Sequence, residues 1–442
     1  MTGLNAKPLW RRISVGVAWT AAGTCLARGA TLIGAIVLAR WVGKDMFGEI
    51  AVLQSTVGLF QAFGAFGLGL AATRFVAGDR NNFDIVTTRA RACLQITALT
   101  SFLAALFLWY GAAFVADRGL NMPTLASPLR AAALCLPSAC LTSTALGILI
   151  GLECFRGAAV LTVVSSVVPA LCIVPGATSA GAFGAACALS ISSALVAVAG
   201  LVVLAYVLGH SRALLWGSSE SREWRAILAF SLATVTGSLF LAPVNWLTTS
   251  FVVRLPGGAG QIAVFNVANQ WRTAILFLPA IVCQVLLPFL SDLRTSDDQR
   301  RYYTFVRLSI VASCLTALAC AVPISLLSHQ IMSSYGNGFV EGAQIIVILA
   351  FSAVLIAGAN AVGQFLAAEN QMWFGAALNG AWAAVIIAVS WQLRGSGAKG
   401  LAVASTLAYV LHAMTSVVVL IRLAPSKRRS VAAILAASSS AN

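Results

Sequence analysis

The sequence predicts an all-α polytopic membrane protein, with about 12 transmembrane helices in two pseudo-symmetric six-helix bundles. Three observations carry that reading: the composition, the spacing of charge along the chain, and an internal echo. Apolar residues make up 60% of the 442 and charged residues only 9%, with a mean hydropathy of +0.91. A soluble chain of this length needs far more charge to cover its surface.

Breaking the chain at charged and Gly/Pro/Asn-rich points leaves twelve apolar segments of about spanning length. They are 14–39, 48–76, 90–115, 125–151, 157–175, 181–208, 226–252, 261–290, 303–327, 341–367, 372–393 and 398–421. The first follows a basic start, MTGLNAKPLWRR, and reads as a retained span rather than a cleaved signal peptide. Its apolar run continues past Arg28 to Leu38, longer than a signal-peptide core. Under this threading nineteen Lys and Arg share the side of the N-terminus, seven lie opposite, and Arg28 and Arg272 fall inside spans. Basic loops concentrate in the cytoplasm, so both termini are expected there. The same bias accounts for the net charge of +15, because such loops face anionic inner-leaflet lipid. The charge is therefore no signal for nucleic acid. Ten cysteines are scattered through apolar stretches and only three histidines are present. No metal or cofactor is expected, and the thiols read as small buried groups.

The third observation is the echo of GEIAV (48–52) in GQIAV (260–264), an offset of 212. GAFGAACA (181–188) recurs as GAKGLAVA (397–404), an offset of 216, and Glu153 meets Glu369 at that same offset. An offset near 214 carries span two onto eight and six onto twelve. The expected organisation is a bundle at 1–210, a cytoplasmic linker at 211–225, a second bundle at 226–425 and a cytoplasmic tail at 426–442. Six spans return the chain to its starting side, so the halves share one orientation about a pseudo-two-fold axis along the membrane normal. Such a shell encloses a cavity, which favours transport. No loop is long enough for a soluble catalytic domain, so an enzyme is not expected.

Polar residues inside spans nominate the site. An arginine near mid-bilayer costs about 2.5–3.5 kcal/mol on insertion scales. Arg28 lies near the centre of span one on a stripe with Thr20, Thr24 and Thr31, spaced to share one helix face. Span eight sets Asn266, Gln270, Thr273 and Gln284 on a common face, with Asn269 at its edge and Arg272 about 120° from the stripe centre. Span seven offers Ser231, Thr234, Ser238, Asn245 and Thr249; span two offers Gln54 and Gln61. The candidate binding residues are Arg28, Arg272, Thr24, Thr31, Gln54, Gln61, Asn245, Asn266, Asn269 and Gln270. Two readings stay open for each: lining of a wet cavity, or hydrogen-bonded helix packing. At offset 212 Arg28 meets Phe240 and Arg272 meets Phe60, so the cations break the repeat. A guanidinium suits phosphate through paired hydrogen bonds. Prolines at 137, 169, 243, 279, 288 and 323 are candidate hinges or ordinary kinks.

The stretch LARWVGKDMFGEIAVLQS (38–55), followed by FGLGLAATRFVA (66–77), resembles polysaccharide and O-antigen flippases. These form the Wzx-like branch of the multidrug/oligosaccharidyl-lipid/polysaccharide (MOP) exporter superfamily. The matching residues are Ala39, Arg40, Gly43, Phe47 and Gly48, then Gly67, Leu68, Gly69, Arg74 and Phe75; LLPFLSDL (286–293) and GILIGLECFRGAAVL (147–161) extend the similarity. The counterpart loop RLPGGAGQIAV lacks a basic-acidic pair like Lys44-Asp45. The resemblance implies a MATE/MurJ-like fold and a flippase that moves an undecaprenyl-pyrophosphate-linked oligosaccharide outward across the bacterial inner membrane. It further implies a cavity with cations facing the pyrophosphate, a role for Arg28 and Arg272. The implied partners are that substrate, membrane lipids, and the polymerase and chain-length regulator of the pathway. The rivals are a cation-coupled drug or metabolite exporter of the same superfamily, which would need a carboxylate within a span, and a membrane-embedded transferase, which would need a large loop.

Overall fold

Backbone polar groups in lipid must be satisfied within their own segment, so apolar stretches of this length become helices. The computed structural model describes residues 9–80, 82–209, 221–238, 240–283, 299–369 and 371–423, and among them there is no strand. In chain order the α-helices are α1 (Leu9–Ala65), α2 (Leu68–Gly78), α3 (Phe83–Phe114), α4 (Ala126–Ala133), α5 (Cys135–Gly151), α6 (Phe155–Leu208) and α7 (Ser221–Ser238). They continue as α8 (Leu241–Val253), α9 (Gly258–Ile275), α10 (Gln299–Leu326), α11 (Ser328–Tyr335), α12 (Ala343–Ala368), α13 (Met372–Gln392) and α14 (Gly397–Leu423). Residues 277–283 are also helical.

Two helices are far longer than one crossing. At 57 and 54 residues, α1 and α6 exceed the roughly 20 residues a bilayer needs. Each breaks near its middle: α1 at Gly43 (φ 80, ψ 175) and α6 at Ala180 and Gly181 (φ 60, ψ −142). A residue with a Cβ pays heavily in that region, so glycine marks the reversal. Among the described residues seven helical stretches are long and apolar enough to cross a membrane. An eighth appears if Pro123–Ala133 and Cys135–Gly151, bent by 45°, form one span. With two of the long stretches broken internally, this is compatible with the twelve spans read from sequence. The end of span eight, with Gln284, Pro288 and the LLPFLSDL stretch, lies outside the described residues. So do most of the linker (210–220) and the tail.

The chain groups into two compact units, the first being Met1–Gln270, His329–Ala343 and Ser390–Leu401, the second the remainder. Two apolar cores stand out among the described residues of the first unit. One gathers Leu53, Leu108, Leu125 and Leu136; the other gathers Leu68, Val76, Ile96 and Ile148. In the second unit, alanines 317, 321, 350, 353 and 357 pack with Ile275, while Tyr302 and Phe365 anchor a separate cluster.

The duplication is visible in backbone conformation. Positive φ occurs at Gly43 and Gly257, at Asn121 and Gly336, and at Gly181 and Gly397, pairs that lie 214, 215 and 216 residues apart. Gly181 and Gly397 share both angles, at φ 60, ψ −142 and φ 58, ψ −134. Their surroundings correspond too. A Cβ on Gly181 would meet the Met46 side chain at 3.2 Å, and one on Gly397 would meet Gln261 at 2.6 Å, with Met46 and Gln261 again 215 apart.

Candidate functional site: an uncharged cavity in the first unit

The site is built where α1 and α6 part. Glycines let these helices touch: a Cβ on Gly23 would lie 2.8 Å from that of Ala159, and one on Gly34 would lie 2.7 Å from that of Ala170. The second arm of α1 meets the start of α9 just as closely, since a Cβ on Gly48 would fall 1.9 Å from the Ala259 carbonyl oxygen. Gly260 in turn faces Lys44 and Asp45. Each echoed pentapeptide therefore begins against the residues just before the other. Away from that crossing the walls separate around a cavity of about 330 Å³, within the usual range for ligand sites.

Thr31 and Gln54 reach the cavity from the two arms of α1, Asn266 and Gln270 from α9, and Ser165, Ser166 and Ser193 from α6. Leu38, Phe47, Ile50, Pro169, Ile173 and Leu189 supply apolar wall, and among the described residues no lining side chain is charged. Several hydroxyls already donate to their own helix: Thr31 to the Ala27 carbonyl (2.9 Å) and Ser165 to Thr162 (2.8 Å). Gln270 Nε2 donates to Asn266 Oδ1 at 2.9 Å, while Gln270 Oε1 is buried without a partner. Gln54 is exposed to the cavity side.

Four of the ten nominated residues thus meet in one place. Arg28, one turn from Thr31 on α1, is exposed and makes no ion pair among the described residues. Thr24 donates to the Thr20 carbonyl (2.8 Å). Gln61 is half-buried, with its carbonyl near Cys140 Sγ at 3.9 Å. Asn245 is exposed, and its carbonyl accepts from Thr249 Oγ1 at 2.8 Å. Asn269 is half-buried. None of these lines the cavity. Arg272 belongs to the second unit, where its Nη1 donates to Ser405 Oγ at 2.9 Å. Thr234 and Ser238 lie where side chains are not described.

Among the described residues, span seven, expected to line the site, contributes nothing to the cavity, and the unnominated span five contributes two serines. Of that span's stripe, Thr249 donates to a carbonyl of its own helix and Asn245 is exposed. The Ser165-Ser166 pair just before Pro169 was the available signal on span five. One expectation about thiols also needs amending. Cys93, Cys135 and Cys140 are buried, but Cys25 is exposed.

At the Gly43 end of the same unit the connecting segments interlock. Lys44 pairs with Glu341, Arg40 Nε donates to the Ser334 carbonyl at 2.6 Å, and Phe47 meets Phe339 edge-on at 5.9 Å. Arg254 donates to the carbonyls of Gly119 (2.9 Å) and Arg118 (2.7 Å). Gln261 Oε1 accepts the Ala398 N–H at 3.0 Å.

The fold is shared with solved transporters. An inward-facing MATE-family multidrug resistance transporter of the MOP superfamily matches with a TM-score of 0.72 at 14% identity, covering 90% of this chain and 95% of that one. The lipid II flippase MurJ, in an inward closed conformation, matches with a TM-score of 0.73 at 12% identity, covering 91% and 87%. In sequence, the chain is 26% identical over 412 residues to the EPS I polysaccharide export inner membrane protein EpsE of Ralstonia solanacearum, covering 91% of this chain and 93% of that protein. The polysaccharide biosynthesis protein family model matches residues 13–294, well over half the chain, and the chain belongs to that family.

Proposed function

We propose that this protein is a flippase that carries an undecaprenyl-pyrophosphate-linked oligosaccharide from the cytoplasmic to the periplasmic face of the inner membrane, by alternating access, for a surface polysaccharide. The observation that carries the reading is similarity along nearly the whole chain to an inner-membrane polysaccharide export protein. A helix-walled cavity with carboxamide and hydroxyl lining supports it. The prenyl tail stays in lipid while the polar part crosses through the protein. Both termini lie in the cytoplasm on the charge-bias argument. Arg28 and Arg272 are each proposed as a pyrophosphate contact, because an intramembrane cation without a paired carboxylate is expensive unless an anion is its function. The six-span halves are the elements that move against each other.

Deleting the gene should make lipid-linked repeat units accumulate on the cytoplasmic face, measured by extraction after radiolabelling; an unchanged pool sinks the reading. Arg28→Ala and Arg272→Ala should each reduce export about ten- to a hundredfold, the effect of losing hydrogen bonds to a charged group. Export at the normal level in both variants removes the anion-holding role. The fold is also that of multidrug transporters, so drug sensitivity in the deletion strain with an unchanged lipid pool would favour a cation-coupled exporter.

A further inference from the structure

We propose that Arg89 is the joint of a releasable latch: it holds α7 against the first bundle and must let go of it during transport. The repeat assigns α7 to the other half. At an offset near 214 span seven answers to span one, and span one packs within its own bundle, Gly23 against Ala159. Yet α7 groups with the first unit. Its Ile227 is fully buried in the core of Leu68, Val76 and Val86, with Trp224, Leu228 and Phe230 packed around it. A contact that departs from the repeat ties the start of one half to the other. The proposal rests on the flippase reading here, because halves that part at this end have to break that tie. Basic loops put this end in the cytoplasm.

The seam is built so that release strands neither charge. Arg89 Nη1 donates to the Phe75 carbonyl at 3.2 Å and pairs with Asp79, both on the first bundle's side. Arg89 Nε donates to Glu223 Oε2 at 3.2 Å, and of these three legs only this one reaches α7. Breaking an ion pair is costly where it leaves a buried charge alone. Here Arg89 keeps two acceptors when α7 leaves, and Glu223, already 25% exposed, passes to water. The neighbouring contact follows the same plan. The Arg74 guanidinium lies 4.5 Å over the Phe230 ring, and Phe75 meets that ring edge-on at 5.9 Å. Two consecutive residues of α2 thus grip one side chain of α7. Arg80 instead pairs with Glu153, which fixes the end of α2 to the turn between α5 and α6. The first bundle's side of the latch therefore stays in place whether or not α7 is docked.

The experiment places Ile227→Cys in the full chain, in inside-out membrane vesicles, and follows its labelling by a membrane-impermeant maleimide. Peptide mass spectrometry separates that thiol from the ten native ones, and labelling tracks the open population. Glu223→Gln removes the leg to α7 and should raise labelling about five- to tenfold, the effect of one partly buried charged pair. Asp79→Asn removes a leg inside the first bundle and should leave labelling within about twofold. A merely structural ion network predicts the two variants alike. Equal labelling in both, or no rise in Glu223→Gln, overturns the proposal. Release is tested without Ile227→Cys by joining Phe75→Cys to Phe230→Cys with a bifunctional thiosulfonate, which reduction cleaves. Polysaccharide export should stop on cross-linking and return on reduction; full export by the cross-linked protein overturns the need for release. Labelling is read without transport, so the two readings fail separately. An unchanged lipid pool in the deletion strain with the labelling contrast intact removes the flippase and leaves the latch, and accumulation without the contrast does the reverse.

Discussion

At the scale of single residues, Gly397 combines two constraints that sequence alone could not separate. Its backbone (φ 58, ψ −134) lies in territory that side-chained residues enter only at about 1–3 kcal/mol. A Cβ there would also press on Gln261, 2.6 Å away, and Gln261 holds the first free N–H of α14 through Ala398. Gly43 has the backbone constraint without the crowding, since nothing lies within 4 Å of its Cβ position. Gly397→Ala should therefore lower the thermal midpoint of the purified protein more than Gly43→Ala, and Gly397→Ala combined with Gln261→Ala should not recover wild-type stability. Equal midpoints for the two single variants would show that the Gln261 contact carries no weight. Residue type alone did not mark the site: Gln54, Asn266 and Gln270 line the cavity, whereas Gln61, Asn245 and Asn269 do not. Thr24 and Thr249 look equally polar in sequence, yet each satisfies itself on a carbonyl of its own helix.

At the scale of elements, α2 and α5 show how small residues set helix distance. A Cβ on Gly147 would fall 2.1 Å from the Gly69 carbonyl oxygen. Thr73 Oγ1 lies 3.0 Å from both the Gly69 and the Gly147 carbonyl oxygens, so the hydroxyl is shared across the crossing. Because the obstruction is backbone, no side chain can swing aside. Gly147→Ala should force the helices apart and cost at least the roughly 1–3 kcal/mol of an overpacked core, seen as loss of monodisperse protein in detergent. Gly111→Ala, with open space around it, should behave as wild type. If Gly147→Ala were as stable as Gly111→Ala, the close approach would be dispensable. The long apolar segments of these elements were readable because lipid leaves helices as the only solution. Span five's role in the cavity was signalled only by the Ser165-Ser166 pair, and serine hydroxyls that bond their own helix have the same sequence appearance whether or not they face a cavity.

At the scale of the whole molecule, the internal echo set out a duplicated helical shell before any contact was known, and the paired positive-φ residues agree with the duplication. What the repeat did not disclose is how its copies meet. The first residue of GEIAV, Gly48, meets Ala259 just before GQIAV, and beside them Lys44 pairs with Glu341 in a loop whose counterpart lacks that basic-acidic motif. On the alternating-access reading this end must open for release, so every contact made only when it is shut biases the balance between states. A half-exposed ion pair contributes about 0–1 kcal/mol, so Lys44→Ala should change polymer export less than about fivefold. Lys44→Glu sets a carboxylate against Glu341 and should change export more, because repulsion disfavours the shut form as well as removing the attraction. Glu341→Lys added to Lys44→Glu restores opposite charges with exchanged positions, and export should return toward wild type. The readout is exported polysaccharide per cell at matched protein level. Export in the double variant no better than in Lys44→Glu alone would mean that the pair does not act through its charge, and the latch at this end would then rest on the carbonyl bonds of Arg40 and Arg254.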